Sequence, residues 1–179
     1  MAITLIPEDG SGIADANTYV AQADADAYFA NRANATWAAA SADAKAAGLI
    51  QATQYLDARY TFKGVRLTDT QALEWPRQQP PITVGVGMWT EVIARDSNFL
   101  AWPVQRVKDA CCEAALRALA GPLYQDQDSA IVLSEKVGEI AVSYAESARN
   151  GGQIRISIVD DLLRRYVIGS GANVALVRA

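Results

Sequence analysis

The sequence lacks histidine altogether, and its two cysteines, Cys111 and Cys112, are neighbours. Without histidine, Ser-His-Asp and Cys-His catalysis in their usual forms and histidine-ligated metal sites are excluded. Neighbouring residues on a helix point about 100° apart, so the two thiols are poorly placed to pair with each other or to chelate a metal. We interpret them as small core residues of a helix, and we expect no enzyme, no metal site and no cofactor.

An excess of positive charge is also missing. The net charge is -4, and the sequence pI is about 4.8. Residues 1–50 account for the whole excess, with Glu8, Asp9, Asp15, Asp24, Asp26 and Asp43 against Arg32 and Lys45. A free-standing duplex-DNA binder would normally be basic. An acidic surface repels DNA, which suits the wall of a conduit better than a gripping surface.

Signals for export, membranes and nucleotide binding are absent from the pattern. The first ten residues have no basic region and no cleavable apolar region, and no apolar run approaches the roughly 18 residues of a membrane span. The glycine pairs at Gly10, Gly85 and Gly169 lack the third glycine of a dinucleotide fingerprint and the lysine of a phosphate loop. We expect a protein that is made in the cytosol and has no membrane partner.

The chain is rich in alanine, and its periodicity predicts helices. We expect one over Gln22–Arg32, a second after the N-cap Ser41, a third that begins with Pro103 at its first position and stops at Gly121, and a short one over about 158–168 that Ser157 caps. The second helix carries the apolar stripe Ala46, Leu49, Ile50, Thr53, Leu56 and Tyr60. The third carries Val104, Val107, Cys111, Ala114, Ala115 and Ala118, with Gln105, Asp109, Glu113 and Arg117 on the opposite face.

The remaining pattern predicts a mainly α fold, a small helical bundle with a minor antiparallel β element and extended N- and C-terminal arms. Residues 1–17 form an extended leader, residues 18–168 the helical domain, and residues 169–179 the C-terminal arm. The domain contains an irregular insertion at about 61–102, with short strands at Ile82–Val86 and Trp89–Ile93. A hairpin at about 136–157 turns at Asn150-Gly151-Gly152.

Two segments are candidate contact sites. Aromatic and basic residues interleave over residues 55–77, including Tyr60, Phe62, Lys63, Arg66, Trp75 and Arg77. Aromatic faces between cations are typical of single-strand binding, but we favour the interpretation in which the rings complete the core at the end of the second helix and the cations are solvated. In the arm, the apolar Val174, Leu176 and Val177 precede Arg178. These residues could add as a strand to the sheet edge of a neighbour or pack back on their own subunit.

Several short motifs resemble a family of tailed-bacteriophage proteins. The motifs are Thr18-Tyr-Val20, Ala25-Asp-Ala-Tyr-Phe29, Ala52-Thr-Gln-Tyr-Leu-Asp57, Gln71-Ala-Leu-Glu-Trp-Pro-Arg77, Lys136-Val-Gly138 and the closing Val177-Arg178. Members are often named DnaT-like single-stranded-DNA-binding proteins, and their architecture is similar to that of head–tail connector, or adaptor, proteins. The resemblance covers nearly the whole chain, and its A-T-x-Y-L-D and W-P-R segments are the most specific parts.

The resemblance implies a structural virion protein of the phage neck that is made in the host cytoplasm. It implies a helical subunit of a ring, commonly twelve-fold, that lies below the portal protein and joins the capsid to the next tail or neck protein. DNA would pass through the lumen without sequence-specific binding. Relatives cross from W-P-R to the third helix over a short loop, whereas residues 78–102 look enlarged here. The alternative function is a single-stranded nucleic-acid-binding protein that uses residues 55–77.

Overall fold

The computed structural model describes residues 3–78, 83–86, 89–92, 104–124, 134–137, 140–143 and 156–168. Within these ranges the helices are α1 (Gln22–Ala30), α2 (Ala35–Ala39), α3 (Ala42–Arg59), α4 (Gln105–Ala118) and α5 (Ser157–Leu163). The strands are β1 (Val65–Arg66), β2 (Arg77–Gln78), β3 (Thr83–Val86), β4 (Trp89–Val92), β5 (Ser134–Val137) and β6 (Ile140–Ser143). The predicted mainly α fold with a minor antiparallel β element is confirmed.

Helices α3 and α4 form the centre of the fold. Ser41 caps α3 as predicted, because its hydroxyl accepts a hydrogen bond from the Ala44 amide at 3.2 Å. The alanine-rich faces allow the two backbones to approach closely, and Gly48 marks the contact. A methyl group added at Gly48 would lie 3.2 Å from the carbonyl oxygen of Ala115. The glycine that weakens the helical pattern therefore has a packing reason.

The predicted polar face and start of α4 both need correction. The helix begins at Gln105 with Val104 as its N-cap, so Pro103 is not at its first position. Glu113, predicted on the face opposite the apolar stripe, is buried, with 7% of its surface exposed. The reason is a partner from another helix: the Tyr28 hydroxyl donates to its carboxylate at 2.9 Å, and Arg117 pairs with the same carboxylate.

Residues 3–17, predicted as an extended leader, fold back on themselves. The Asn17 amide donates to the Ile6 carbonyl at 2.9 Å, and the Ile6 amide donates to the Asn17 side chain at 2.8 Å. Glu8 is buried, and its carboxylate accepts from the amides of Gly10, Gly12 and Ile13 at 2.8–2.9 Å. This loop passes directly into the core residues Thr18, Tyr19 and Val20.

The β elements are three antiparallel pairs, β1 with β2, β3 with β4, and β5 with β6. The β3–β4 pair lies where short strands were predicted. A further antiparallel pair joins residues 134–137 to residues 140–143. The turn predicted at Asn150-Gly151-Gly152 lies outside the described residues. Ile156, which the predicted hairpin includes, is the N-cap of α5.

Helix α5 is shorter than predicted and starts one residue earlier. Ser157 is its first residue, and its N-cap Ile156 makes no side-chain capping bond. Asp160, in the first turn of the helix, accepts a hydrogen bond from the Tyr60 hydroxyl at 2.6 Å. This bond ties α5 to the end of α3. After α5 the chain pairs back, since Val167 forms an antiparallel bridge with Phe62.

Candidate functional site

The aromatic rings of the 55–77 segment are in the core. Trp75 has no exposed surface, Phe62 has 1% and Tyr60 has 8%. The ring centroids of Phe62 and Trp75 lie 5.6 Å apart in an edge-to-face arrangement, and Tyr166 meets Trp75 in the same way at 6.0 Å. This burial agrees with the interpretation in which the rings complete the core. In this structure none of the three offers a free face on which a base could stack.

Arg77 organises the loop before it. Its guanidinium donates to the carbonyl oxygens of Phe62, Lys63 and Gly64 at 2.7–3.2 Å and pairs with the Glu74 carboxylate. Only 9% of the Arg77 side chain is exposed. A guanidinium with this many fixed partners holds backbone in place, and it has little capacity left for a ligand.

Arg66 and Lys63, the other predicted cations, differ from each other. Arg66 donates to the carbonyl oxygen of Gln71 and lies 4.0 Å from the Glu74 carboxylate. Lys63 is exposed, and its ammonium donates to the Arg165 carbonyl at 3.0 Å. Lys63 therefore leaves its charge at the surface, whereas Arg66 is engaged within its own loop.

Three of the motifs meet in one buried hydrogen-bond network, which the sequence did not reveal. The Tyr19 hydroxyl donates to the Asp57 carboxylate and accepts from the Trp75 amide at 3.3 Å. The second carboxylate oxygen of Asp57 accepts from the Glu74 amide at 3.2 Å. The Tyr19 amide donates to the Thr53 hydroxyl at 3.2 Å. We call Tyr19, Asp57 and Trp75 the motif clamp.

Burial shifts the pKa values of the two ionisable side chains of the motif clamp, Asp57 and Tyr19. It raises the pKa of Asp57 to about 7, although the hydrogen bonds from Tyr19 and the Glu74 amide oppose that rise. Burial also raises the pKa of Tyr19 well above its ordinary value, and the neighbouring Asp57 charge adds to the effect. Perturbed groups often mark functional sites. Here the partners are backbone amides and a tyrosine, which is what a structural junction needs.

A second grouping was also missed by sequence reasoning. Lys63, Arg164 and Arg165, here called the basic cluster, are all exposed. Hydrogen bonds between the strand-like residues 61–63 and the turn after α5 bring them together: the Lys63 amide donates to the Tyr166 carbonyl at 2.7 Å, and the Ile168 amide donates to the Thr61 carbonyl at 2.8 Å. The adjacent Arg164 and Arg165 are visible in the sequence as a basic pair. Lys63 is about 100 positions away, so the sequence does not show that it joins them.

The same joined segments expose apolar side chains. Ile168 is 61% exposed, Val65 49% and Leu67 39%. We call these three residues the apolar edge. Ile168 and Val65 are the two most exposed large apolar side chains of the described residues. Exposed apolar surface on a folded domain is a common feature of contact sites.

The cysteines are buried as predicted, and burial raises the pKa of Cys111 to about 12. A thiol so poorly ionised is a weak nucleophile. Among the described residues, no group of three histidine, cysteine, aspartate or glutamate side chains is arranged to hold a metal ion. No helix of the described ranges is long and apolar enough to cross a bilayer. The arm residues Val174, Leu176, Val177 and Arg178 lie outside the described residues.

Comparison with known proteins gives one family. Residues 3–179 match the family described as "Putative DnaT-like ssDNA binding protein". No curated protein and no solved structure is significantly similar to the chain. Because the family match spans nearly the whole sequence, the chain belongs to this DnaT-like family.

Proposed function

We propose that the chain is a structural subunit of a tailed-phage virion, a head–tail connector whose copies close into a ring below the portal protein. DNA would pass through the ring on its way between capsid and tail. The partners would be further copies of the chain, the portal protein and the next tail or neck protein. The ring would have twelve subunits and would need no cofactor.

The observation that carries this proposal is the apolar edge. Val65 and Leu67 are held by backbone pairing with residues 76–78, and Ile168 by its bond to Thr61, so ordered backbone presents each of the three side chains. A monomer leaves this surface in water, at a cost of about 25 cal/mol for each Å² of apolar area. Contact with a second copy removes the area from water. Closed rings need such heterologous contacts between different faces of one subunit.

The charge distribution supports the same proposal. The acidic excess lies in residues 1–50, whereas the basic cluster consists of residues 63, 164 and 165. Segments of opposite charge within one subunit favour contact between unlike surfaces of two copies and disfavour contact between like surfaces. A mostly acidic wall also keeps DNA from adhering to a conduit.

A direct test replaces the apolar edge by charge. Val65→Asp combined with Ile168→Asp should leave the monomer folded, because both side chains are exposed, and should prevent assembly. Ile3→Asp is the matched control, since Ile3 is 39% exposed and lies elsewhere in the sequence. Mass photometry, alone and with portal protein, measures assembly. Assembly that is unchanged in the double variant would count against this surface as the contact between copies.

A second candidate function is single-stranded nucleic-acid binding. The family description names it, and the exposed cations of the basic cluster favour it. Because Phe62 and Trp75 are buried, nucleic-acid binding cannot be tested by removing their rings. Alanine at Phe62 or Trp75 would remove core side chains, so the informative variants are the surface cations.

A further inference from the structure

Two parts of the chain, 102 positions apart, build the basic cluster. The Lys63 backbone amide donates to the Tyr166 carbonyl at 2.7 Å, and its ammonium donates to the Arg165 carbonyl at 3.0 Å. Lys63 is thus fixed at both its backbone and its side chain against the turn that carries Arg164 and Arg165. The fold therefore places the exposed Lys63 against the turn that carries the exposed Arg164 and Arg165, a grouping that no local sequence pattern reveals.

Carboxylates do not neutralise these cations within the described part of the chain. The ion pairs found there use Lys45, Arg66, Arg77, Lys108 and Arg117. Asp160 is occupied by the Tyr60 hydroxyl. Asp161 precedes Arg164 and Arg165 by about one helical turn but forms no ion pair with either of them. Three exposed like charges that are held together leave a local positive field on a chain with a net charge of -4.

We propose that the basic cluster binds the phosphate backbone of nucleic acid. This inference deepens the proposed function and rests on it for its ligand. Arginine guanidinium groups bind phosphate oxygens with two parallel hydrogen bonds, and a lysine ammonium adds a point charge. The acidic residues elsewhere repel the same polyanion, so they favour approach of the strand at this surface.

The surrounding residues determine what kind of recognition is possible. Phe62 and Trp75, the rings nearest to Lys63 in the sequence motif, are buried. Because these two buried rings cannot stack on bases, the proposed contact of the basic cluster is to phosphates and carries no sequence information. Affinity per subunit would be low and strongly dependent on salt. Weak contact of this kind permits a strand to move past the surface.

Fluorescence anisotropy with a labelled oligothymidine, and with a duplex of the same length, tests the proposal on the full chain. With three phosphate contacts, binding to the single strand should weaken about twentyfold between 50 and 200 mM salt. Arg164→Gln with Arg165→Gln should reduce the salt slope by roughly 1.4 and weaken low-salt affinity at least tenfold. Both probes share the phosphate chemistry, and their comparison separates single-strand from duplex binding.

The matched control is Arg32→Gln with Arg106→Gln, which removes two exposed cations outside the cluster. It should change affinity less than twofold. Equal losses in both double variants, or no loss in the cluster variant, would overturn the proposal. Circular dichroism verifies that each variant is folded, and Lys63 is left intact because its side chain also joins two segments.

Mass photometry on the same samples separates this inference from the connector proposal. Rings that bind neither probe would overturn the phosphate surface and leave the connector standing. Binding without assembly, even when portal protein is present, would overturn the connector and leave the phosphate surface. A cluster variant that binds normally but no longer assembles would show that Arg164 and Arg165 contact other copies instead of DNA.

Discussion

The Tyr19 hydroxyl donates a hydrogen bond to the partly buried carboxylate of Asp57, and thereby joins the segment before α1 to the end of α3. The same hydroxyl accepts from the Trp75 amide, so three short motifs that are far apart in sequence meet at one oxygen. Three of the six motifs that carry the family resemblance thus have a common structural role. They fix the W-P-R segment, and with it Arg77 and the loop that presents Lys63.

Removing this hydroxyl should destabilise the fold. Tyr19→Phe leaves the Trp75 amide and one oxygen of Asp57 without their partner in a buried site, which costs about 1–3 kcal/mol in the free energy of unfolding. Urea unfolding followed by circular dichroism measures it. Tyr124→Phe is the control, because Tyr124 is 43% exposed and should change the free energy little. Equal urea midpoints for Tyr19→Phe and the unmodified protein would show that the motif clamp does not stabilise the fold.

Asp57 should give the stability a specific pH dependence. Its pKa is raised by burial from 3.8 to about 7, so the folded chain holds this proton more tightly than the unfolded chain. The stabilising contribution is therefore complete below about pH 4 and is lost as the pH rises through 7. Tyr19, Glu74 and Arg77 also face this carboxyl.

Asp57→Asn cannot titrate and isolates this effect from other carboxylates. Between pH 4 and 7 the free energy of unfolding of the unmodified protein should fall relative to that of Asp57→Asn, by an amount on the order of 3 kcal/mol. Chemical unfolding of both proteins across this pH range provides the measurement. Profiles that run parallel would contradict the raised pKa.

Gly48→Ala should be destabilising although alanine is the better helix former. The new methyl group would lie 3.2 Å from the Ala115 carbonyl oxygen between two buried helices. Overpacking of about 1–3 kcal/mol outweighs a propensity gain of about 1 kcal/mol, so we expect a lower unfolding temperature by calorimetry. Gly121→Ala is the control, since nothing lies within 4 Å of its added methyl group. A higher unfolding temperature for Gly48→Ala would show that α3 and α4 are not so close.

Phe62→Ala should fail as a probe of nucleic-acid binding. The ring is 1% exposed and packs against Trp75, so its loss costs about 3–5 kcal/mol. Thermal unfolding should show this loss at any salt concentration. If Phe62→Ala instead kept its stability and lost oligonucleotide affinity, the ring would be a stacking platform after all.

Sequence periodicity predicted the central helices because their packing faces are regular. Ser41 and the stripe of α3 needed no distant information, and the buried thiols of α4 followed from the same reasoning. Predictions failed where a distant residue supplied the partner. Glu113 is buried where the Tyr28 hydroxyl donates to it, and Ser157, predicted as the cap of α5, is the first residue of that helix.

The candidate surfaces were harder to predict than the helices. The 55–77 pattern nominated aromatic and basic residues together, but their alternation does not say which side chains face the core. Lys63 lies beside Arg165 in the fold although the two residues are 102 positions apart in the sequence. The local sequence around either residue therefore does not predict the basic cluster. The arm at Val174–Arg178 remains a prediction from sequence.

The mass of the particle in solution tests the central claim most directly. Native mass spectrometry of the full chain, alone and with portal protein, should give one closed oligomer, of twelve subunits at 19.2 kDa each, either free or on the portal. A chain that stays a 19.2 kDa monomer under both conditions would contradict the account.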